Sequence, residues 1–201
     1  MARHRGVMGV GVMLGLLVLA VAGRADEAAA LKMIEKLGGR VKVDATQPGK
    51  PVVAVELSFT KVTDAGLKEL KGLTNLLWLD LGYTKVTDAG LKEPKGLKSL
   101  QRLGLSGTKV TDAGLKELKE LKSLRWLTLD STQVTDAGLQ HLKELKNLQR
   151  QDLSKTAVTD TGLKELRELK SLQTLWLSFT KVTDTGVKEL QAALPGLQII
   201  R

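Results

Sequence analysis

The stretch Leu100-Gln-Arg-Leu-Gly-Leu-Ser-Gly-Thr-Lys-Val-Thr-Asp-Ala-Gly-Leu-Lys-Glu-Leu118 decides the fold. Its tripeptide Val-Thr-Asp recurs at Val62, Val86, Val110, Val134, Val158 and Val182, a spacing of 24 residues held five times without slippage. A fixed period of this length builds a solenoid. Two periodicities sit inside the unit. Leu103 and Leu105 alternate as a short strand requires, whereas Leu115, Leu118 and Leu121 are spaced as one face of a helix. Each strand and helix can bury its apolar side only against its own partner and the neighbouring coils, so the units stack into a parallel strand ladder with helices outside.

This pattern resembles the leucine-rich repeat family, in its ribonuclease-inhibitor-like, strand-plus-helix subtype and in the style of secreted bacterial members. The resemblance covers roughly residues 52 to 201. It implies an α/β leucine-rich-repeat solenoid, a right-handed β-α superhelix with a curved parallel sheet inside and helices outside. Six full repeats and a partial terminal strand make up that domain. For function it implies a non-catalytic binding scaffold and leaves the partner open.

The rest of the chain fits one such array. Its 201 residues carry a net charge of +9, 42% apolar residues and six aromatics (three Trp, one Tyr, two Phe). Absent cysteine excludes a disulfide framework, zinc-thiolate sites and thiol catalysis, and two histidines, His4 and His141, offer little for metal clusters or histidine-based triads. No cofactor is implied. Residues 1–25 run from basic Arg3 and Arg5 through an uncharged stretch, Gly6 to Ala22, rich in Val, Leu, Met and Gly. This is a secretory signal pattern, with small residues for cleavage at Ala20 and Ala22 or at Gly23 and Ala25. The reading is an exported protein, periplasmic or extracellular; the alternative is an uncleaved membrane anchor. Removing residues 1–25 leaves 28 basic and 22 acidic side chains, a modest excess of +6.

The ends differ from the middle. Asp26 to Leu37 reads as an amphipathic helix stopped by Gly38 and Gly39, followed by a strand near Val41 to Val43 and a turn at Gln47-Pro-Gly-Lys50. Residues 26–51 thus form an N-terminal cap on the first coil, whose strand is Val52 to Leu57. Leu194-Pro-Gly-Leu-Gln-Ile-Ile200 repeats the strand entry with one residue inserted. Two positions break the repeat's own rule. Pro94 replaces a helical leucine and should shorten or kink its helix. Gln151 replaces an inward strand leucine, so a buried amide needs partners.

Several repeated residues have structural explanations. Thr60 and its five equivalents should bond backbone at the turn leaving the strand. Thr63 and Asp64, with their equivalents, look like helix caps and first-turn acids, which accounts for the aspartate row without a calcium ladder. Gly66 and its equivalents should allow close packing between coils.

The variable positions are where function should lie. Outward-facing third positions read Ala54, Trp78, Arg102, Trp126, Arg150, Thr174, and fifth positions read Glu56, Asp80, Gly104, Thr128, Asp152, Trp176. Phe59, Tyr83 and Phe179 occupy the eighth position, at the strand's exit. All six aromatics therefore fall on or beside the concave face, and none at a leucine position. Trp78, Arg102, Trp126 and Arg150 should stand side by side, strand by strand, with guanidinium and indole planes stacked. The candidate partner-binding residues are Trp78, Asp80, Arg102, Trp126, Arg150, Asp152, Trp176, Tyr83 and Phe179. The partner expected is a protein or peptide; polysaccharide, bound on the tryptophans, and a self-associating structural array are the alternatives. Glu56 beside Asp80 is the one pair suited to glycosidase chemistry, but an open sheet implies no cleft, so no catalytic residue is assigned. Nucleic acid is disfavoured because the charges on this face cancel, and no membrane contact is expected after signal removal.

Overall fold

The computed structural model describes residues 25–201. The signal segment expected over residues 1–25 lies, but for Ala25, outside the described residues. Helix α1 (Ala25–Lys36) leads into β1 (Arg40–Val43), which runs antiparallel to β2 (Val52–Glu56). Six further strands follow in parallel: β3 (Trp78–Asp80), β4 (Arg102–Gly104), β5 (Trp126–Thr128), β6 (Arg150–Asp152), β7 (Thr174–Trp176) and β8 (Gln198–Ile200). The sheet order follows the chain order from β1 to β8. Equivalent residues pair in strict register, Ala54 with Trp78, Trp78 with Arg102, and on to Thr174 with Gln198. The fold is therefore an α/β solenoid of stacked coils. The inward strand leucines, such as Leu79, Leu103, Leu127 and Leu175, are fully buried and form one continuous apolar core.

The convex side departs from a plain row of helices. Coils open there with a single four-residue α-turn, α2 (Asp64–Leu67), α3 (Asp112–Leu115), α4 (Asp136–Leu139) or α5 (Asp160–Leu163), and continue as tighter 3-10 helix, as at Lys116–Glu120. The leucine spacing explains why. Leu115, Leu118, Leu121 and Leu124 repeat every three residues and are all fully buried. A 3-10 helix, with three residues per turn, eclipses positions i and i+3 and keeps every such leucine on one line. The last coil tests this account. Its inserted residue changes the intervals among Val187, Leu190, Leu194 and Leu197 to three, four and three, and the segment becomes a regular helix, α6 (Asp184–Ala193).

Pro94 acts as its chemistry requires. Lacking an N–H, it splits its coil's convex segment into two short 3-10 pieces, Gly90–Lys92 and Pro94–Gly96, while its ring stays buried in the leucine's place.

What holds one coil to the next, besides the sheet and core, is a repeated clamp. Asp64 accepts two hydrogen bonds from Thr87 of the following coil, and the same pair recurs as Asp88 with Thr111, Asp112 with Thr135, Asp136 with Thr159 and Asp160 with Thr183. In each, the threonine N–H reaches one carboxylate oxygen at 2.7–2.8 Å. Its hydroxyl reaches the other at 2.6–2.7 Å. The aspartates are thus more than first-turn acids. Threonine capping does occur, for instance Ala113 N–H to Thr111 Oγ1 at 3.2 Å, but not at Thr63. The glycine of each later unit makes room for the clamp: a Cβ on Gly90, Gly114, Gly138, Gly162 or Gly186 would fall on Oδ1 of the preceding coil's aspartate. Arg201 supplies the closing partner, donating to Asp184 and to the Val182 carbonyl.

The strand-exit threonines behave as expected from sequence. Each hydroxyl donates to the carbonyl three residues back, such as Thr108 Oγ1 to Leu105 at 2.7 Å. These bonds stay within a coil, whereas the clamp crosses to the next. Thr183 holds the Asp160 carboxyl below the usual carboxylate range, its hydroxyl contributing most and its N–H next; partial burial opposes this, and Arg201 and Lys164 assist. Because the folded-state value is depressed, this clamp stabilises the fold above the unfolded carboxylate pKa. Its contribution is lost as pH falls through the folded value.

Gln151 is fully buried. Its Nε2 donates to the Asp152 carbonyl at 3.2 Å, but Oε1 has no partner. A buried acceptor left unpaired costs about 1–3 kcal/mol, and leucine is the residue its neighbours Leu127 and Leu175 carry. Gln151→Leu should therefore raise stability by about 1–2 kcal/mol in urea unfolding. A loss of stability would mean that the amide is satisfied in solution.

Candidate binding face

The parallel register brings the third and fifth positions of successive coils into two rows on the open side of the sheet. One row runs Trp78, Arg102, Trp126, Arg150; the other contains Asp80, Asp152 and Trp176. The three tryptophans are half-buried, and Arg102 and Arg150 are exposed.

The expected stack forms around one indole. Arg102 and Arg150, on the strands either side of β5, each place the guanidinium carbon 5.3 Å from the centre of the Trp126 ring. Trp126 is thus sandwiched between two cations, and its Nε1 is buried without a hydrogen-bond partner. The stack does not extend to Trp78. That indole takes Lys42 of β1 instead, with Nζ 5.7 Å from the ring centre. Among the described residues, no cation lies over Trp176. Asp80 and Asp152 each fold back on their own strand exit, accepting from the N–H of Gly82 at 3.0 Å and of Ser154 at 2.9 Å. Glu56 pairs loosely with Arg40 at 4.0 Å.

The eighth position holds a feature that sequence reading missed. Phe59, Tyr83, Gly107, Ser131, Lys155 and Phe179 all have positive φ, between 56° and 63°. The left-handed residue turns the chain off the strand while its N–H still bonds to the next coil, as Tyr83 does to the Ser106 carbonyl at 2.7 Å. Only glycine adopts this conformation freely, and the cost for other residues is roughly 1–2 kcal/mol. Gly107 was the available signal, since a glycine at one of six equivalent places marks the backbone requirement of all. Three of the other five places carry large aromatics that bury little: Phe59, Tyr83 and Phe179 are 77%, 50% and 83% exposed. Phe59 and Tyr83 stack in parallel with ring centres 4.7 Å apart, and the Tyr83 ring lies where a Cβ on Gly107 would be. Lys155 Nζ stands 5.8 Å from the Phe179 ring centre.

The convex side is occupied with its own charges. Lys98, Lys122 and Arg167 pair with Glu120, Glu144 and Glu189 of the next coil at 3.4, 3.3 and 2.8 Å. His141 is half-buried there, and among the described residues no cluster of three potential metal ligands occurs.

The strict coil, the inward leucines and the parallel ladder define a leucine-rich-repeat solenoid. A family model described as Leucine Rich repeat matches residues 96–119 and 168–190. No curated protein matches the chain. Among solved structures, a leucine-rich-repeat protein of Leptospira interrogans aligns at 27% identity and a TM-score of 0.60, covering 74% of this chain and 37% of its own. Internalin C2 of Listeria monocytogenes aligns at 23% identity and a TM-score of 0.59, covering 90% of this chain and 84% of its own. An internalin of the same species, inlF, aligns at 20% and 0.57, covering 91% and 57%. The chain thus spans little more than a third of the Leptospira protein. Family match, similar structures and coil geometry agree on a leucine-rich-repeat fold.

An exposed aromatic in a left-handed position costs stability, so the position separates folding from recognition. Phe179→Gly should leave the protein as stable or raise it by about 0.5–1 kcal/mol in thermal or urea unfolding. A clear destabilisation would show that Phe179 packs for the fold.

Proposed function

We propose that this protein is a non-catalytic scaffold that binds a protein or peptide partner on the open, concave face of its sheet, using Trp78, Asp80, Tyr83, Arg102, Trp126, Arg150, Asp152, Trp176 and Phe179. One observation carries the reading. Every aromatic side chain lies on or beside this face, three at positions the backbone disfavours, while the core is filled by aliphatic residues. Tryptophan, tyrosine and arginine are the residue types that dominate binding energy at protein interfaces.

Polysaccharide comes second. A sugar ring stacks on an open indole face, and both faces of Trp126 are taken by arginines, which leaves Trp176 as the free platform. The ribonuclease-inhibitor-like subtype is supported by the α-turns that open most convex segments and by α6. Residues 26–51 serve as an N-terminal cap, since β1 covers the first edge of the sheet in antiparallel sense. Export rests on the pattern of residues 1–25. Among the described residues no helix is long and apolar enough to cross a membrane. Intact-mass analysis of protein from the native envelope or medium should find a start near Gly23 or Asp26, and full-length chain embedded in membrane would support the anchor instead.

The binding assignment is tested by Trp126→Ala against Lys116→Ala on the convex side. Trp126→Ala should weaken partner affinity by about 2 kcal/mol while lowering stability by about 1–2 kcal/mol, through loss of two cation-π contacts. Lys116→Ala should change neither. Unchanged affinity in both, with stability lost only in Trp126→Ala, would make the stack a purely structural feature.

A further inference from the structure

The charges on the concave face cancel in total but not in place. At the second and third positions of the six repeats the only charged residues are Arg102, Arg125 and Arg150, and at the fifth and seventh positions the only charged residues are Glu56, Asp80, Asp130 and Asp152. Successive strands pair in register, so these positions line up as two lanes, basic at the strand entry and acidic further along, with Lys155 the one cation of the eighth position, just beyond the acidic lane and turned onto Phe179. Where they come closest, at Arg150 and Asp152, two residues of strand separate them, about 7 Å.

The lanes do not neutralise each other. Among the described residues none of the three arginines forms an ion pair or donates a side-chain hydrogen bond, and none of Asp80, Asp130 and Asp152 pairs with a cation. Arg150 and Asp152 share one strand and still stay apart. The guanidinium is turned onto Trp126, and the carboxylate is held by the Ser154 N–H. Asp130 is likewise engaged by the Ser106 hydroxyl rather than by a cation. A guanidinium held over an indole and making no hydrogen bond keeps its N–H groups free, and these match a carboxylate in bidentate fashion. The acidic lane, oriented by neutral donors, keeps its charge for a cation.

We propose that the occupant of this face is a polypeptide surface that carries acidic side chains beside basic ones, its carboxylates on Arg102, Arg125 and Arg150 and its cations on Asp80, Asp130 and Asp152. This rests on the binding reading given above and specifies its partner's chemistry. A uniform polyanion, such as a nucleic acid or sulfated glycan, gains from one lane and is repelled by the other. A polypeptide is the class that offers both charges within about 7 Å, as glutamate and lysine one helical turn apart do.

The probe is a phage-displayed library of random dodecapeptides selected on the full chain, with heparin-agarose retention as the polyanion arm. Selected peptides should carry both acidic and basic residues. Their affinity should fall tenfold or more in Arg102→Glu/Arg150→Glu and, separately, in Asp80→Lys/Asp152→Lys, with circular dichroism showing that both variants stay folded. These side chains lie outside the core, so folding and binding are read apart. Peptides that lose affinity in Trp126→Ala but are indifferent to both reversals would overturn the two-lane proposal and leave the binding face standing. Selection of uniformly acidic peptides, or firm heparin retention at physiological salt, would overturn it in favour of a polyanion. No enrichment, or peptides indifferent to Trp126→Ala as well, would overturn both it and the reading beneath it.

Discussion

The clamp between an aspartate in one coil and a threonine in the next is the constraint on which the rest of the molecule depends. A solenoid coil has no core of its own; its leucines are buried only when the next coil sits at the right distance and register. Hydrophobic contact supplies the attraction but is nearly indifferent to register. The two-point bond from threonine N–H and hydroxyl to one carboxylate is directional, and it recurs without change from Asp64 to Thr183. The glycine of the following coil, Gly90 for Asp64 and Gly114 for Asp88, is its steric counterpart, leaving the carboxylate a place to sit. Val-Thr-Asp-x-Gly is therefore a device for stacking, and its aspartates are already committed to neighbours rather than available to a ligand.

Fixing the stack fixes the face. With register locked, a residue at one position of the repeat always meets its equivalents on either side, so variable positions become rows and rows become a surface. Tryptophan and arginine alternate along the third-position row, and Trp126 consequently receives a cation from each flanking strand. The same repetition imposes a left-handed residue at each strand exit, a local requirement that the aromatics Phe59, Tyr83 and Phe179 violate at some cost. The charges separate into lanes for the same reason.

Much of this was legible in the chain. The 24-residue period and the alternation of Leu103 with Leu105 identified the parallel ladder, and the outward rows could be listed before any coordinates. The consequences of Pro94 and the burial of the Gln151 amide followed from the chemistry of an imide and from the position's place in the repeat, but that Oε1 would go without the partner it needs did not. What stayed hidden was relational. Nothing in one repeat says that Asp64 turns to Thr87 rather than to its own helix, because a first-turn acid and an inter-coil acceptor occupy the same place in sequence. The period of three among Leu115, Leu118 and Leu121 was visible and is compatible with either helix type over so short a span; only the one-residue insertion before Leu194 exposes the difference. The left-handed turn was hidden because five of six positions carry residues that do not advertise it. Lys42 displaced Arg102 from Trp78 because β1 returns antiparallel beside β2, a pairing outside the repeat.

Native-state hydrogen exchange at the backbone amides of Thr111, Thr135 and Thr159 tests the stacking account most directly. Each of these N–H groups bonds to the carboxylate of the preceding coil, so each should exchange only when two coils separate. The account predicts protection of the same order as the strand amides of Trp126 and Arg150, and its loss on replacing the aspartate that accepts. Exchange at the rate of freely solvated amides, in a protein whose strand amides remain protected, would contradict it.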